Sequence, residues 1–328
     1  MRELVRDLAL ALRERVLPHL GSHAGRAHEA AAAGGDVTFA IDAEAERELE
    51  AFLAERAPDV AFYSEDRGLV EPGGSARTVL VVDPIDGTRP ALAGLESCCV
   101  SVAAAPLTGE RAVRASTRSP GERAVRASTR SPGEPAMGDV TVGCVVEIPS
   151  GAVFLAERGA GVVEGPTVLL SRNERIDRMF WTYGFRGRPA RPTVEVIGDL
   201  IDASSVGGAS FELGSAAFDM TRIVTGQLDA YVEPGPRLVE DVPGMREEFE
   251  RVGGGAVLNN SPYDLAAAAL ILEEAGAVVT DAYGRSLSAC PLLGSGHEYQ
   301  MSVVASGNPG LHEAILSALD AGFQRVSG

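Results

Sequence analysis

A short apolar run, Thr78-Val79-Leu80-Val81-Val82, passes without a break into Asp83-Pro84-Ile85-Asp86-Gly87-Thr88. A strand apolar on both faces must lie inside a sheet covered on both sides, which demands a layered α/β architecture. Ligand sites in such sheets gather at the carboxyl ends of strands, and Asp83 directly follows this one. Pro84 fixes its own φ and removes a donor, so the Ile85 carbonyl can turn toward the same point as the two carboxylates. Two carboxylates and a carbonyl make a hard-oxygen site suited to Mg²⁺ or Mn²⁺. An isolated Asp-x-x-Asp pair is usually a solvated turn. The buried strand before this pair and the Gly-Thr turn after it make the hexapeptide far more specific.

The rest of the chain supplies the layers. Residues 2–20 have helical apolar spacing (Leu4, Leu8, Leu10, Leu12, Val16) that Pro18 and Gly21 end, and Ala43 to Ala57 reads as a second helix. Strands are expected at Val60–Tyr63, Thr78–Val82, Cys98–Ala105, Val140–Glu147 and Ala152–Ala156, with a turn at Pro149-Ser150-Gly151. The later half alternates again: strands at Met179–Tyr183 and Asp229–Val232, with a helix over Gly214–Thr225. A long Ala/Leu helix from about Asp264 to Ala275 follows, then strands at Val278–Thr280 and Met301–Ala305 and a final helix over Leu311–Ala321. A length of 328 residues suggests two units, 1–175 and 176–328. Residues 109–120 recur unchanged as 121–132. So polar a tandem copy cannot bury a core and reads as a loop insertion, about 108–137, of no function of its own.

Charge and composition exclude several classes. The net charge of −17 opposes nucleic acid, whereas an acidic chain can still bind phosphate when its carboxylates hold cations. All 29 basic residues are arginine, which rules out a Walker lysine or a Schiff base. No apolar run approaches the roughly 20 residues of a membrane span. Cys98, Cys99, Cys144 and Cys290 lack metal-knuckle spacing and read as buried free thiols of a cytoplasmic protein.

Two further carboxylates could join the aspartate pair. Glu65 follows the strand before it, so pairing of the two strands would bring Glu65 beside Asp83. Asp264 opens the Ala-rich helix; by itself it is a helix cap, but an apolar helix can carry such a charge to a buried site that a cation must balance. Asp241 competes with Asp264 for that place, and the apolar helix after Asp264 favours Asp264.

Taken together these segments resemble the inositol monophosphatase family. Asp83-Pro84-Ile85-Asp86-Gly87-Thr88 looks like its first signature, and Tyr263-Asp264-Leu265-Ala266-Ala267-Ala268 through Glu273-Glu274-Ala275-Gly276 its second. Gly214-Ser215-Ala216-Ala217-Phe218-Asp219-Met220, running on to Asp229-Ala230-Tyr231-Val232-Glu233, is similar to the segment that holds substrate hydroxyls.

The resemblance implies an αβαβα sandwich and Mg²⁺-assisted hydrolysis of a phosphomonoester by direct attack of water, with no covalent intermediate. By that resemblance Glu65, Asp83 and the Ile85 carbonyl hold one metal, and Asp83, Asp86 and Asp264 a second. Thr88 and Glu65 orient the water, and Asp42 supports Thr88. The Gly87 and Thr88 amides meet the phosphate, while Asp86, Ser215, Ala216 and Glu233 face the alcohol portion. The implied partner is a small phosphorylated metabolite, not nucleic acid or membrane, and the implied assembly is a homodimer.

Three departures stand out. Arg89-Pro90 replaces the usual Asn-Phe pair after Thr88, and Arg89 is a candidate contact for a second phosphate or carboxylate. The stretch Pro234–Pro262 is longer than usual and borders the alcohol pocket. The register around Asp42, after Gly34-Gly35-Asp36, is open by one residue. Inositol phosphate leads as substrate, with fructose-1,6-bisphosphate, histidinol phosphate and 3′-phosphoadenosine nucleotides as alternatives, and an inactive scaffold protein as the alternative of another class.

Overall fold

The computed structural model describes residues 1–22, 26, 28–31, 37–72, 76–107 and 134–326. The duplicated segment 109–132 lies outside them. In the first half the order is α1 (Arg2–Val16), β1 (His28–Ala31), β2 (Val37–Phe39), α2 (Ala40–Arg56), β3 (Ala61–Ser64) and β4 (Gly68–Val70). Then come β5 (Thr78–Asp86), α3 (Thr88–Ala93), β6 (Cys99–Pro106), β7 (Val142–Glu147), β8 (Val153–Glu157) and β9 (Gly161–Glu164). The second half opens with β10 (Phe180–Tyr183), α4 (Ala190–Ser204), β11 (Ala209–Phe211), α5 (Ala216–Val224) and β12 (Ala230–Glu233). It ends with α6 (Gly235–Asp241), α7 (Met245–Val252), α8 (Pro262–Ala275), β13 (Val278–Thr280), β14 (Val303–Ser306) and α9 (Pro309–Val326).

Two mixed sheets result, ordered β4-β3-β5-β6-β7-β8-β9 and β11-β10-β12-β14-β13. The pleat sends alternate residues of β5 to opposite faces. Leu80 and Val82 pack with Val5, Leu8 and Leu12 of α1 and Leu49 of α2, whereas Val79 and Val81 pack with Ala267, Leu270 and Ile271 of α8. The middle helix layer, α5 and α8, touches the second sheet through Tyr231, Val303 and Ala305. Beyond that sheet, Ile197 of α4, Phe249 of α7 and Ile315 of α9 close a third core around Trp181 and Val232. The sequence implied an αβαβα sandwich, and these are its layers.

Burial on both sides explains why α8 reads as Ala and Leu almost throughout. Gly143 on β7 lets it come close: a Cβ there would stand 2.7 Å from the Ala267 carbonyl oxygen. The split at 175/176 separates the strands of the two sheets, yet α5 and α8 pack onto the first one. Among the described residues no helix is long and apolar enough to cross a membrane.

Candidate active site

β5 does not stop at Val82, as its apolar content suggested, but continues to Asp86. Its pairing with β6 explains how two carboxylates three residues apart converge. Asp83 pairs with Ser101 and Asp86 with Cys99, so three steps on β5 oppose two on β6. In a regular strand residues i and i+3 point to opposite faces; the extra residue of this bulge turns both aspartates the same way. The Ile85 amide donates to Asp83 Oδ1 at 3.0 Å, which fixes the turn.

β3 runs parallel to β5, with Ser64 opposite Val82, and this ladder delivers Glu65 to the pocket beside Asp83. Asp264 arrives from the middle layer. It does not open α8, as its position in the sequence implied: Ser261 is the cap, and Asp264 sits three residues on, accepting the Ser261 amide through Oδ2 at 2.6 Å. Ser101 Oγ donates to the Tyr263 carbonyl at 3.1 Å and ties this end of α8 to β6.

Asp83, Asp86 and Asp264 thereby each offer an oxygen within 4.8 Å of the others. Glu65 stands outside this tight triad but lines the same pocket, together with Asp42, Asp66, Ile85, Gly87, Thr88, Arg89, Arg186 and Gly214. The electrostatics follow from burial and like charge. Asp83 is raised well above the usual carboxylate range by desolvation, then by Glu65, Asp86 and Asp264. Asp264 is pushed up to about 7 by burial and the Asp86 charge. Asp86 rises to about 6 through burial, restrained by the Ala217 amide (2.6 Å) and the Ser215 hydroxyl (2.9 Å), which both donate to its Oδ2. A pocket of oxygen donors whose ionised forms repel one another suits a hard divalent cation.

Asp42 settles into one register. Its Oδ2 accepts the Phe39 amide at 2.9 Å and its Oδ1 accepts the Thr88 hydroxyl at 3.1 Å. Thr88 Oγ1 also lies 3.0 Å from the Ile85 carbonyl. Gly87, at φ +89°, leads into α3; a Cβ would meet the Ser97 carbonyl at 2.6 Å, so both conformation and space require glycine. Arg89 stacks its guanidinium over Phe39, 5.4 Å from the ring centre, at the wall of the pocket.

A second cavity adjoins the first and shares Asp86, Arg186, Gly214 and Asp264 with it. Ser215 and Ala216 line it as expected, although the Ser215 proton is committed to Asp86. Glu233 departs from expectation. It is fully buried, and Arg188 Nη2 meets its carboxylate at 2.6 Å, so a guanidinium rather than a carboxylate lines this wall. Asp241 lines neither cavity and is instead paired with Arg237 at 3.1 Å and Tyr283 at 2.8 Å.

The extended stretch 234–262 folds as α6 and α7 and then contributes Leu258, Asn259 and Asn260 to this cavity. Arg186 and Arg188 were missed from the sequence; the available signal was an Arg-x-Arg separated by two residues from the end of a strand in a chain without lysine. A further cavity, about 530 Å³, shares no residue with either of these and is lined by Phe180, Phe211, Phe218 and the Arg222–Glu147 ion pair.

Comparison with known proteins finds relatives along nearly the whole chain. The model of the inositol monophosphatase family matches residues 1–126 and 135–322. A fructose-1,6-bisphosphatase/inositol-1-monophosphatase of Methanothermobacter thermautotrophicus is 27% identical over 88% of this chain and 85% of its own. A Nus factor SuhB of Vibrio cholerae is 24% identical over 76% and 73%. The solved structure of a Thermotoga maritima IMPase superposes with a TM-score of 0.64 at 19% identity, covering 99% of this chain and 96% of that one.

Proposed function

The chain belongs to the inositol monophosphatase family, and from that premise we propose that it hydrolyses the phosphomonoester of a small polyol or sugar, with Mg²⁺ as cofactor. The observation that carries the reading is the convergence of the buried Asp83 and Asp86 with the half-buried Asp264, beside the Thr88–Asp42 pair. Glu65, Asp83 and the Ile85 carbonyl would hold one ion, and Asp83, Asp86 and Asp264 a second. When bound, Mg²⁺ or Mn²⁺ supplies a lowered water pKa, a clamp on the phosphate oxygens and neutralisation of the departing alkoxide.

The chain's own groups do the rest. The single hydroxyl proton of Thr88 is engaged by Asp42 and the Ile85 carbonyl, so the oxygen turns a lone pair to the cavity and accepts a hydrogen bond from water; as it takes up the water's proton, its own passes to the Asp42 carboxylate. Glu65 shares the orientation of that water. The Gly87 and Thr88 amides meet the phosphate, and Arg89 adds a positive wall. Asp86, held by Ser215 and Ala217, faces the alcohol together with Ser215 and Ala216.

A cytoplasmic homodimer completes the proposal. It is supported by the free state of the four cysteines and by the partly exposed Phe180 and Phe211 around the 530 Å³ hollow. A scaffold role, which the likeness to a protein called a Nus factor favours, competes with it. The full set Glu65, Asp83, Asp86, Thr88 and Asp264 supports catalysis instead. Phosphate release from inositol-1-phosphate, fructose-1,6-bisphosphate, histidinol phosphate and 3′-phosphoadenosine 5′-phosphate, with and without Mg²⁺, decides. Silence across the panel favours the scaffold.

A further inference from the structure

Helix α2 carries three carboxylates at four-residue intervals, Asp42, Glu46 and Glu50, a spacing that stacks them along one face. Asp42 takes the Thr88 hydroxyl. The other two reach the turn between β3 and β4, where Glu65 sits. Glu46, 2% exposed, accepts the Ser64 hydroxyl through Oε2 at 2.9 Å and the Asp66 amide through Oε1 at 3.4 Å. It therefore grips the residue before Glu65 and the residue after it. Thr38 adds a hold on the far side, donating its hydroxyl to Asp66 Oδ1 at 2.6 Å. Glu50 pairs with Arg67 at 3.0 Å, on the surface.

This turn depends on such a grip more than the rest of the site does. Asp83 and Asp86 are fixed by an interior strand and its bulge, and Asp264 by a helix buried on both sides. Glu65 instead rides on the short turn closed by the pairing of Ser64 with Gly68, and β4 beyond it is the edge strand of the sheet. A buried carboxylate is a costly acceptor, and a neutral glutamine has nearly the same shape. Only the carboxylate, however, offers both oxygens to two donors at once; a glutamine turns its amide hydrogens toward one of them. The chain bears the cost where two donors must be held on either side of one ligand.

We propose that Glu46 is a positioning residue for Glu65: by holding Ser64 and Asp66 it sets where the Glu65 carboxylate stands, and with it the affinity for the divalent ion that Glu65 shares with Asp83. The inference rests on the metal-dependent reading above and adds to it a residue that lines neither cavity.

The test is calorimetric titration of the metal-free full chain with Mn²⁺. Glu46→Gln is expected to weaken binding by about 10- to 100-fold, the usual cost of losing a group that orients a ligand. With Glu65→Gln already in place, adding Glu46→Gln is expected to change affinity by less than about twofold, because the carboxylate it positions is gone. A merely structural role would weaken both backgrounds alike. Glu50→Gln, which breaks only the surface pair with Arg67, is expected to leave affinity unchanged.

Equal affinity in the parent and Glu46→Gln, or equal losses in the two backgrounds, would overturn the proposal and leave the hydrolase reading standing. A parent that takes up no Mn²⁺ would overturn both. Should Glu46→Gln fail to fold, Ser64→Ala decides. A loss of about threefold or more that disappears in the Glu65→Gln background supports the positioning role, and an unchanged affinity overturns it.

Discussion

The Asp42 carboxylate accepts the Thr88 hydroxyl across 3.1 Å, joining the first turn of α2 to the turn that follows β5. One end of the candidate active site thus hangs from a helix on the outer layer and the other from Asp264 on the middle layer.

Thr88→Val keeps the shape of the side chain and removes the hydroxyl. Turnover is expected to fall by two to four orders of magnitude, the usual contribution of a positioned proton acceptor. Stability should drop by only about 1 kcal/mol for the lost hydrogen bond. Steady-state kinetics and a melting curve on the same preparation check both. Turnover within a fewfold of the parent would remove Thr88 from the mechanism.

Removing divalent ions should expose the strain of the acidic triad. Folded-state values raised to about 6 for Asp86 and about 7 for Asp264, against 3.8 ordinarily, mean that the folded state holds protons the unfolded chain has released. In EDTA their contribution is therefore present below about pH 4 and is lost as pH rises through 6 and 7. Added Mg²⁺ should raise the melting temperature, and by more at pH 8 than at pH 5.5, where it must displace protons. Scanning calorimetry at the two pH values tests this. An equal shift at both would contradict it.

Glu46 gives a second pH signature that can be separated from the first. It is buried on α2, accepts the Ser64 hydroxyl at 2.9 Å, and is raised from 4.5 to about 7 chiefly by burial. Its contribution is present below pH 4.5 and lost as pH climbs through 7, on the order of 3 kcal/mol. His312, lowered by burial to about 4, works in the opposite sense: its contribution is present above 6.5 and lost as pH falls. Glu46→Gln in saturating Mg²⁺ should raise stability at pH 8 and leave that at pH 4.5 nearly unchanged. A parallel displacement at all pH values would refute the assignment.

Gly143→Ala tests the seat of α8. Its added Cβ would press on the Ala267 backbone, which can yield only by moving the helix that carries Asp264. A loss of about 1–3 kcal/mol is expected, with a reduced affinity for Mg²⁺. Unchanged stability by urea denaturation would mean that the sheet and helix are less tightly engaged than their separation implies.

Much of this was legible in the sequence because it is local. The aspartate turn announces itself by the buried strand before it, and α8 by an alanine content that only burial on both sides explains. Whatever depended on pairing partners stayed hidden. The bulge that aligns Asp83 with Asp86 exists only in the register of β5 against β6, and Glu233 looked like an open carboxylate because Arg188 lies 45 positions away. Helix α4 was overlooked because Pro189 and Pro192 flank its start, although Thr193, Val196, Ile197 and Leu200 mark its buried face. Pro234, Pro236, Pro243 and Gly244 likewise interrupt the helical pattern of α6 and α7, so no element was read in that stretch.

The central claim is that the aspartate triad holds a divalent ion for phosphate-ester hydrolysis. The most direct measurement is phosphate release by the parent and by Asp86→Asn, each in Mg²⁺ and in EDTA, on the best substrate of the panel. The account predicts release by the parent in Mg²⁺ alone, and loss of at least about three orders of magnitude in the folded Asp86→Asn protein. Near-normal release by Asp86→Asn, or by the parent in EDTA, would contradict it.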